Sequence, residues 1–206
     1  MIDSAFLITA FTTLFVVLDP PAQTPIFVAL TQGMDWNTRR SIAIRACLTA
    51  GVILAMFAAF GEALLGFVGI SMEAFRVAGG VLLFLTALDM LFERRTKRRE
   101  TSAEEEEHPD PSVFPLGIPL IAGPGAIATM ILLAGQQPGI QGLAVVIGVM
   151  LVVLAMVFVM YLTSGAVARI LGKTGLNVLT RLLGMLLAAL SVQFILDGLK
   201  AFGFAS

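Results

Sequence analysis

The sequence predicts an all-α integral membrane protein with six transmembrane helices arranged as two inverted three-helix repeats. Three observations predict this fold class: an apolar composition, six long apolar segments, and a similarity between the two halves of the chain. Of the 206 residues, 58% are hydrophobic and only 13% are charged, and the mean hydropathy is +0.95. Soluble domains rarely reach such values. The composition therefore predicts helices that face lipid.

Six segments are long and apolar enough to cross a bilayer, whose hydrocarbon core requires about 20 apolar residues per helix. Their continuous apolar runs exclude a transmembrane β-barrel, because barrel strands alternate between apolar and polar residues. The predicted spans cover residues 6–30, 41–60, 75–92, 113–134, 142–162 and 178–199.

The basic residues predict the orientation of these spans. Eleven of the 13 Lys and Arg residues fall in or beside the loops that follow spans 1, 3 and 5, and only Arg76 and Lys200 fall on the other side. Because basic loops stay in the cytoplasm, we expect a multi-pass protein with both termini outside and the charged loops in the cytoplasm.

A charged segment at residues 93–112 separates the first repeat, residues 1–92, from the second, residues 113–206. It contains "ERRTKRRE" and "EEEEHPDP", and such blocks of like charge beside prolines are typical of a solvated linker. Binding of its juxtamembrane bases to lipid headgroups, or a regulatory role, is the alternative.

The two halves align in two places. "LDPPAQTPIFVALTQG" (18–33) matches "AGPGAIATMILLAGQQ" (122–137) at an offset of 104, and "RVAGGVLLFLTAL" (76–88) matches "RLLGMLLAALSVQ" (181–193) at an offset of 105. Each half contains three spans, so the second half must be inverted relative to the first. Inverted repeats are common in secondary transporters.

Both halves break their first span at a proline. Pro20 cannot continue a helix that arrives from Phe15, but it suits the first position of a new helix, with Asp19 as the N-cap. The second half has Gly123 and Pro124 at the matching positions. Each break must face protein or water, because lipid does not tolerate exposed polar backbone.

The second break lacks a capping side chain, which leaves backbone donors for an anion. We therefore hypothesise a zwitterion site that holds a carboxylate on the amides of Gly125 and Ala126 and an ammonium group near Asp19. The alternative role for Asp19 is to cap its own helix.

Further polar residues extend this candidate site. Their alternative role is interhelical hydrogen bonding. For proton coupling the first candidate is Asp19 and the second is Glu62, since intramembrane acids often carry protons. The predicted substrate-binding residues are Asp19, Pro20, Gln23, Thr24, Gly123, Gly125, Ala126, Thr129 and Gln193.

Catalytic and metal-binding motifs are missing from the sequence. Cys47 is the single cysteine and His108 the single histidine, so neither a cysteine zinc site nor an H-E-x-x-H motif can form. No G-x-S-x-G motif occurs. We expect no enzyme activity, no cofactor and no nucleic-acid partner.

The motifs "LDPPAQTPIFVALT", "PLGIPLIAGPGAIATMILLA" and "SVQFILDGL" resemble those of the MarC family of bacterial inner-membrane proteins. Ala22 departs from the glycine that usually follows the prolines in that family. The resemblance implies six spans, a location in the bacterial inner membrane, where termini on the outer side are periplasmic, and transport of neutral amino acids. We therefore expect a secondary transporter for a small neutral solute, with membrane lipids and the solute as partners. The alternatives are a channel, an exporter of another small solute, or a lipid-handling protein, and a homo-oligomer remains an alternative to a monomer.

Overall fold

The computed structural model describes residues 3–92 and 110–204, and it confirms the all-α class. Most of the predicted linker, residues 93–109, lies outside the described residues. The described chain folds into α1 Ser4–Leu18, α2 Pro20–Leu30, α3 Trp36–Val68, α4 Met72–Leu91, α5 Ser112–Ile121, α6 Pro124–Gln136, α7 Ile140–Leu162 and α8 Ser164–Phe202.

Capping residues place both ends of α3 outside the predicted apolar segment, residues 41–60. The carboxylate of Asp35 accepts hydrogen bonds from the backbone N–H groups of Asn37 and Thr38, at 3.0 and 3.3 Å. This cap starts α3 ahead of the predicted residue 41 and brings Arg39 into the helix. At its other end, Gly69 takes a left-handed conformation with a φ of 82° that terminates α3. Hydropathy alone missed the polar first turn of this helix.

Five helical stretches are long and apolar enough to cross a membrane, and α5 and α6 form a sixth candidate that bends by 57°. Contacts at the two ends show that this bent pair crosses the whole bundle. Asp110, just before α5, pairs with Arg45 near the start of α3. Near the end of α6, a Cβ on Gly135 would lie 2.9 Å from Met72 at the start of α4. The described residues therefore contain five such helices, or six spans if the bent pair is one span.

The two ends of the bundle differ in charge. The starts of α3, α5 and α8 share one end, because Arg39 donates to the Ser164 hydroxyl at 3.0 Å and Arg45 pairs with Asp110. We call this the basic end. The opposite end, called the terminal end, holds the start of α4 and the end of α8, where a Cβ on Gly198 would lie 2.8 Å from Val77.

Helix packing follows a regular pattern. The most extensive contact joins α4 to α8, and α3 also packs on α7. In the first half, α1 packs on α7, and α2 packs on α7 and α8. In the second half, α5 packs on α3, and α6 packs on α3 and α4. Gly80 allows the close approach of α4 and α8, since a Cβ there would lie 2.9 Å from the carbonyl oxygen of Ser191.

Candidate functional site

The first break lies at Asp19, which ends α1 and begins α2. Its backbone has a left-handed conformation, with a φ of 51° and a ψ of 62°, and its N–H donates to the carbonyl of Phe15 at 3.0 Å. The Asp19 carboxylate accepts from the N–H of Ala22 at 3.4 Å. Pro20 takes the first helical position, where no N–H is needed. The predicted capping role of Asp19 is confirmed.

The polar side chains that follow Asp19 are buried and hydrogen-bonded within the protein. Gln23 donates through Nε2 to the carbonyl of Leu18 across the break, and its Oε1 accepts from the hydroxyl of Tyr161 at 2.6 Å. The Thr24 hydroxyl donates to the carbonyl of Pro20 at 3.1 Å. The first break is therefore closed by its own neighbours, as buried polar groups require.

An aromatic stack extends this network toward the basic end. The ring of Tyr161 lies parallel to that of Phe27, with centroids 4.3 Å apart and an interplanar angle of 6°. The guanidinium of Arg39 lies 5.7 Å from the centre of the Phe27 ring, within cation–π range. The stack joins α2 to α7 and to the first turn of α3.

The second broken span takes a different path, because α5 is irregular. Phe114 and Ile118 have extended backbone conformations, with φ values of −129° and −132°. Each precedes a proline through a cis peptide bond, at Pro115 and Pro119. Proline disfavours the helical conformation in the residue before it, which accounts for the two extended residues.

Helix α6 starts without a side-chain cap. Gly123 is its N-cap residue, Pro124 takes the first helical position, and no side chain bonds to the first turn. The first N–H group to find an intrahelical partner is that of Ile127, which donates to the Gly123 carbonyl at 3.0 Å. The N–H groups of Gly125 and Ala126 therefore remain as the donors of an uncapped helix start.

A cavity of about 360 Å³ adjoins this uncapped start. Its walls come from α4, α5, the first turn of α6 and the end of α1. Asp89 is the one ionisable residue among the described residues that line it. The lining residues are Val17, Leu82, Leu85, Thr86, Asp89, Phe114, Pro115, Pro119, Leu120, Ile121, Gly123, Pro124, Gly125 and Ala126.

Of the predicted substrate-binding residues, Gly123, Gly125 and Ala126 line this cavity. Asp19, Pro20, Gln23 and Thr24 instead lie buried at the first break. The two breaks are neighbours in the core, since a Cβ on Gly125 would lie 3.6 Å from the side chain of Val17, two residues before Asp19.

The remaining predicted residues are not among those that line the cavity. The Thr129 hydroxyl is buried and donates to the carbonyl of Gly125 at 2.8 Å. Gln193 is exposed and donates to the carboxylate of Asp197 at 2.8 Å. Glu62, the second proton-coupling candidate, is exposed near the end of α3 and is not among the cavity residues.

Sequence reasoning missed Asp89 as a cavity residue, although a signal was present. Leu82, Leu85, Thr86 and Asp89 follow the i, i+3, i+4, i+7 spacing that places four residues on one helix face. Thr86 aligns with Ser191 in the repeat, and its helix face could therefore have been predicted, together with Asp89, as part of the site.

Residues 4–202 match the sequence profile of a family described as "MarC family integral membrane protein". The chain belongs to the MarC family. Both breaks and every residue of the cavity lie within the matched part of this MarC protein.

Relatives of similar length come from distant organisms. The UPF0056 membrane protein YvbG of Bacillus subtilis is 38% identical over 95% of both chains. The UPF0056 inner membrane protein YhgN of Escherichia coli K12 is 34% identical over 94% of this chain and 96% of its own. A UPF0056 membrane protein of Aquifex aeolicus is 36% identical over 94% and 92%, respectively. No solved structure matches this MarC protein.

Proposed function

We propose that this MarC protein is a secondary transporter that moves a small neutral solute, a neutral amino acid, across the inner membrane by alternating access. The observation that carries this proposal is the cavity of about 360 Å³ beside the uncapped start of α6, inside a broken span. In secondary transporters, substrates bind where discontinuous helices start near the middle of the membrane.

The charges around the cavity suit a zwitterion. The amides of Gly125 and Ala126 and the positive end of the α6 dipole favour a carboxylate. The half-buried carboxylate of Asp89, on another wall, favours an ammonium group. A neutral amino acid carries both groups, and cavities for small molecules begin at about 300 Å³. The ammonium group is therefore proposed to lie near Asp89, and not near Asp19 as the sequence suggested.

The packing pattern supports the proposed inverted repeats, residues 1–92 and 113–206. Exchanging α1 with α5, α2 with α6, α3 with α7 and α4 with α8 converts the three contacts of α1 and α2 described above into the three contacts of α5 and α6, and it leaves the α3–α7 and α4–α8 contacts in place. The contacts of α1 with α6 and α8 and of α6 with α7 lie outside this pattern. A repeat pair of this kind can exchange conformations, which is the basis of alternating access.

The orientation proposed here places the basic end in the cytoplasm and both termini in the periplasm. Arg39, Arg45 and Arg169 lie at or near the basic end, and the positive-inside rule assigns that end to the cytoplasm. The name of the Escherichia coli relative, an inner membrane protein, supports the choice of membrane.

Uptake into proteoliposomes tests the transporter proposal. We expect saturable uptake of a neutral amino acid that is accelerated when the same amino acid is loaded inside. Flux that does not saturate would identify a channel. Absence of uptake for every neutral amino acid in a panel, with lipid transfer instead, would contradict the assignment and favour a lipid-handling protein.

Two aspartates near the ends of repeat-related helices provide a matched pair of variants. Asp89→Asn removes the cavity carboxylate, and we expect uptake at low substrate concentration to fall about tenfold, since a hydrogen bond to a charged group contributes about 1.5–3 kcal/mol. Asp197→Asn alters a carboxylate that bonds to Gln193 outside the cavity, and uptake should stay unchanged. Equal losses in the two variants would contradict the zwitterion site.

A further inference from the structure

The position that matches the cavity in the other repeat is filled. Pro124 is exposed at the start of α6, whereas its repeat partner Pro20 is buried at the start of α2. Thr86 is half-buried and lines the cavity, whereas its partner Ser191 is fully buried on α8. The same structural position is therefore open in one half of the chain and closed in the other.

Three phenylalanines occupy positions in the closed half that align with residues of the cavity. At the offset of 105, Phe194 replaces Asp89, and its side chain is 5% exposed within the core. At the offset of 104, Phe11 and Phe15 stand where the second half has the cavity prolines Pro115 and Pro119. Large aromatic side chains thus stand where the cavity has a carboxylate and two small rings.

The backbone of α1 adds to this difference. Helix α1 is regular, and its Phe11 and Phe15 rings stack with centroids 5.9 Å apart. Two polar side chains at the closed position are nevertheless fully buried, namely those of Asp19 and Ser191.

We propose that the chain contains a second access path, closed in this structure, that runs from the terminal end between α1, α2 and α8 to Asp19 and Ser191. Phe11, Phe15 and Phe194 are its gate, and it opens when the cavity at α5 and α6 closes. The inference rests on the alternating access proposed above and assigns residues to its second state. Closure on one side and opening on the other follow if the two repeats exchange conformations.

Gly125 provides a means to hold the structure in its present state. A Cβ at this position would lie 3.5 Å from the Thr86 hydroxyl and 3.5 Å from Leu83, in ordinary van der Waals contact. A large side chain there extends into the open cavity. In the exchanged state Gly125 takes the packed environment that Pro21 has now, where a large side chain has no room.

Thiol accessibility tests the path directly. In a Cys47→Ser background, which removes the single cysteine, Thr86→Cys and Ser191→Cys form a repeat-related pair. We expect a membrane-impermeant maleimide to label Thr86→Cys from the membrane face at the basic end and Ser191→Cys from the opposite face, in right-side-out and inside-out vesicles. Leu190→Cys, the partner of Leu85, replaces Ser191→Cys if that variant does not accumulate.

The wedge variant Gly125→Phe completes the test. It should slow the labelling of Ser191→Cys by about tenfold or more, because it shifts a two-state equilibrium toward the present state. Gly148→Phe is the control, since Gly148 is exposed on α7 with no atom within 4 Å of its Cβ position. Labelling of both cysteines from the same face, no labelling at positions 190 and 191, or equal labelling with and without the wedge would each overturn the proposal.

These labelling experiments need no substrate, so the two proposals can fail separately. Amino acid counterflow without any labelling at positions 190 and 191 would overturn the second path and leave the transporter. Wedge-sensitive labelling from opposite faces without amino acid uptake would retain the second path and overturn the substrate class.

Discussion

The two broken spans of this protein start their second helices in the same way, with a proline in the first helical position. They differ in the residue that precedes the proline. Asp19 supplies a carboxylate that accepts from the N–H of Ala22, whereas Gly123 supplies no side chain. The comparison shows that one residue decides whether the first turn of the helix after the break has a side-chain cap.

The helices before the two breaks differ as well. Helix α1 continues regularly up to Asp19, while the extended residues Phe114 and Ile118 interrupt α5. The regular helix borders the cavity only through Val17, whereas the irregular one contributes five of the lining residues. A repeat can thus keep its helix order and its contacts while it changes the space between the helices.

The largest effect is expected at Asp19. Asp19→Leu removes the N-cap, which costs about 0.5–2 kcal/mol, and places a branched side chain in a left-handed conformation, which costs about 1–2 kcal/mol. The free energy of unfolding, measured by denaturation in mixed micelles, should fall by about 1.5–4 kcal/mol. Asp19→Asn keeps an acceptor and tolerates this conformation, so it should unfold close to the wild type. Equal stability of Asp19→Leu and the wild type would contradict the closed first break.

The hydrogen bond between Tyr161 and Gln23 comes next. Tyr161→Phe leaves the Gln23 carbonyl oxygen without this donor, and a buried acceptor without its donor costs about 1–3 kcal/mol of unfolding free energy. The double variant with Gln23→Leu removes both partners, and position 127, which matches Gln23 in the second repeat, is an isoleucine.

We expect the double variant to be more stable than the sum of the two single losses predicts, by about 0.5–3 kcal/mol in a double-mutant cycle. Additive losses would show that the pair does not act as a unit in closing the first break.

At the second break the effect should appear in transport rather than in stability. Gly125→Ala adds a methyl group at ordinary contact distance from Leu83 and Thr86, so the unfolding free energy should change by no more than about 0.5 kcal/mol. The methyl group narrows the cavity beside the N–H donors of the first turn, and amino acid uptake should fall about tenfold, as expected when a hydrogen bond to a charged group is impaired. Gly148→Ala, on the exposed side of α7, should leave both quantities unchanged. Normal uptake by a stable Gly125→Ala protein would remove the first turn of α6 from the site.

The smallest effect on stability is expected at Asp110, just before the second broken span. Hydrogen bonds from Ser112 and the charge of Arg45 hold the pKa of Asp110 below its ordinary value of 3.8. A lowered pKa in the folded state stabilises the protein above the ordinary value, and this contribution disappears as the pH falls through the folded value. Because both side chains of the Asp110–Arg45 pair are substantially exposed, Asp110→Asn should cost less than about 1 kcal/mol at pH 7.

The difference in melting temperature between the wild type and Asp110→Asn should therefore shrink below pH 3.8. A difference that stays constant from pH 7 to pH 3 would show that the charge of Asp110 has no part in it.

The positions of the six spans could be predicted because they depend on segment length and hydropathy, and the structure has a helix or a bent pair at each. The breaks at Asp19 and Gly123 could be predicted for a similar reason, since proline acts on its nearest neighbours. The extended residues in α5 could have followed from Pro115 and Pro119 by the same rule.

The composition of the candidate site could be predicted only in part. Gly123 and Gly125 line the cavity as expected, but Asp89 joins them from another span, and Gln193 faces away. The orientation of a side chain within a span depends on the rotation of its helix and on the helices packed against it, which lie far away in sequence.

By itself, the sequence determined that this protein lies in a membrane, where its helices break, and which break has a cap. Those properties depend on hydropathy and on contacts between adjacent residues. Only the tertiary structure decided that the cavity lies at the second break and that the first is filled. The space between helices depends on how side chains such as Asp89 and Phe194 pack against distant parts of the chain.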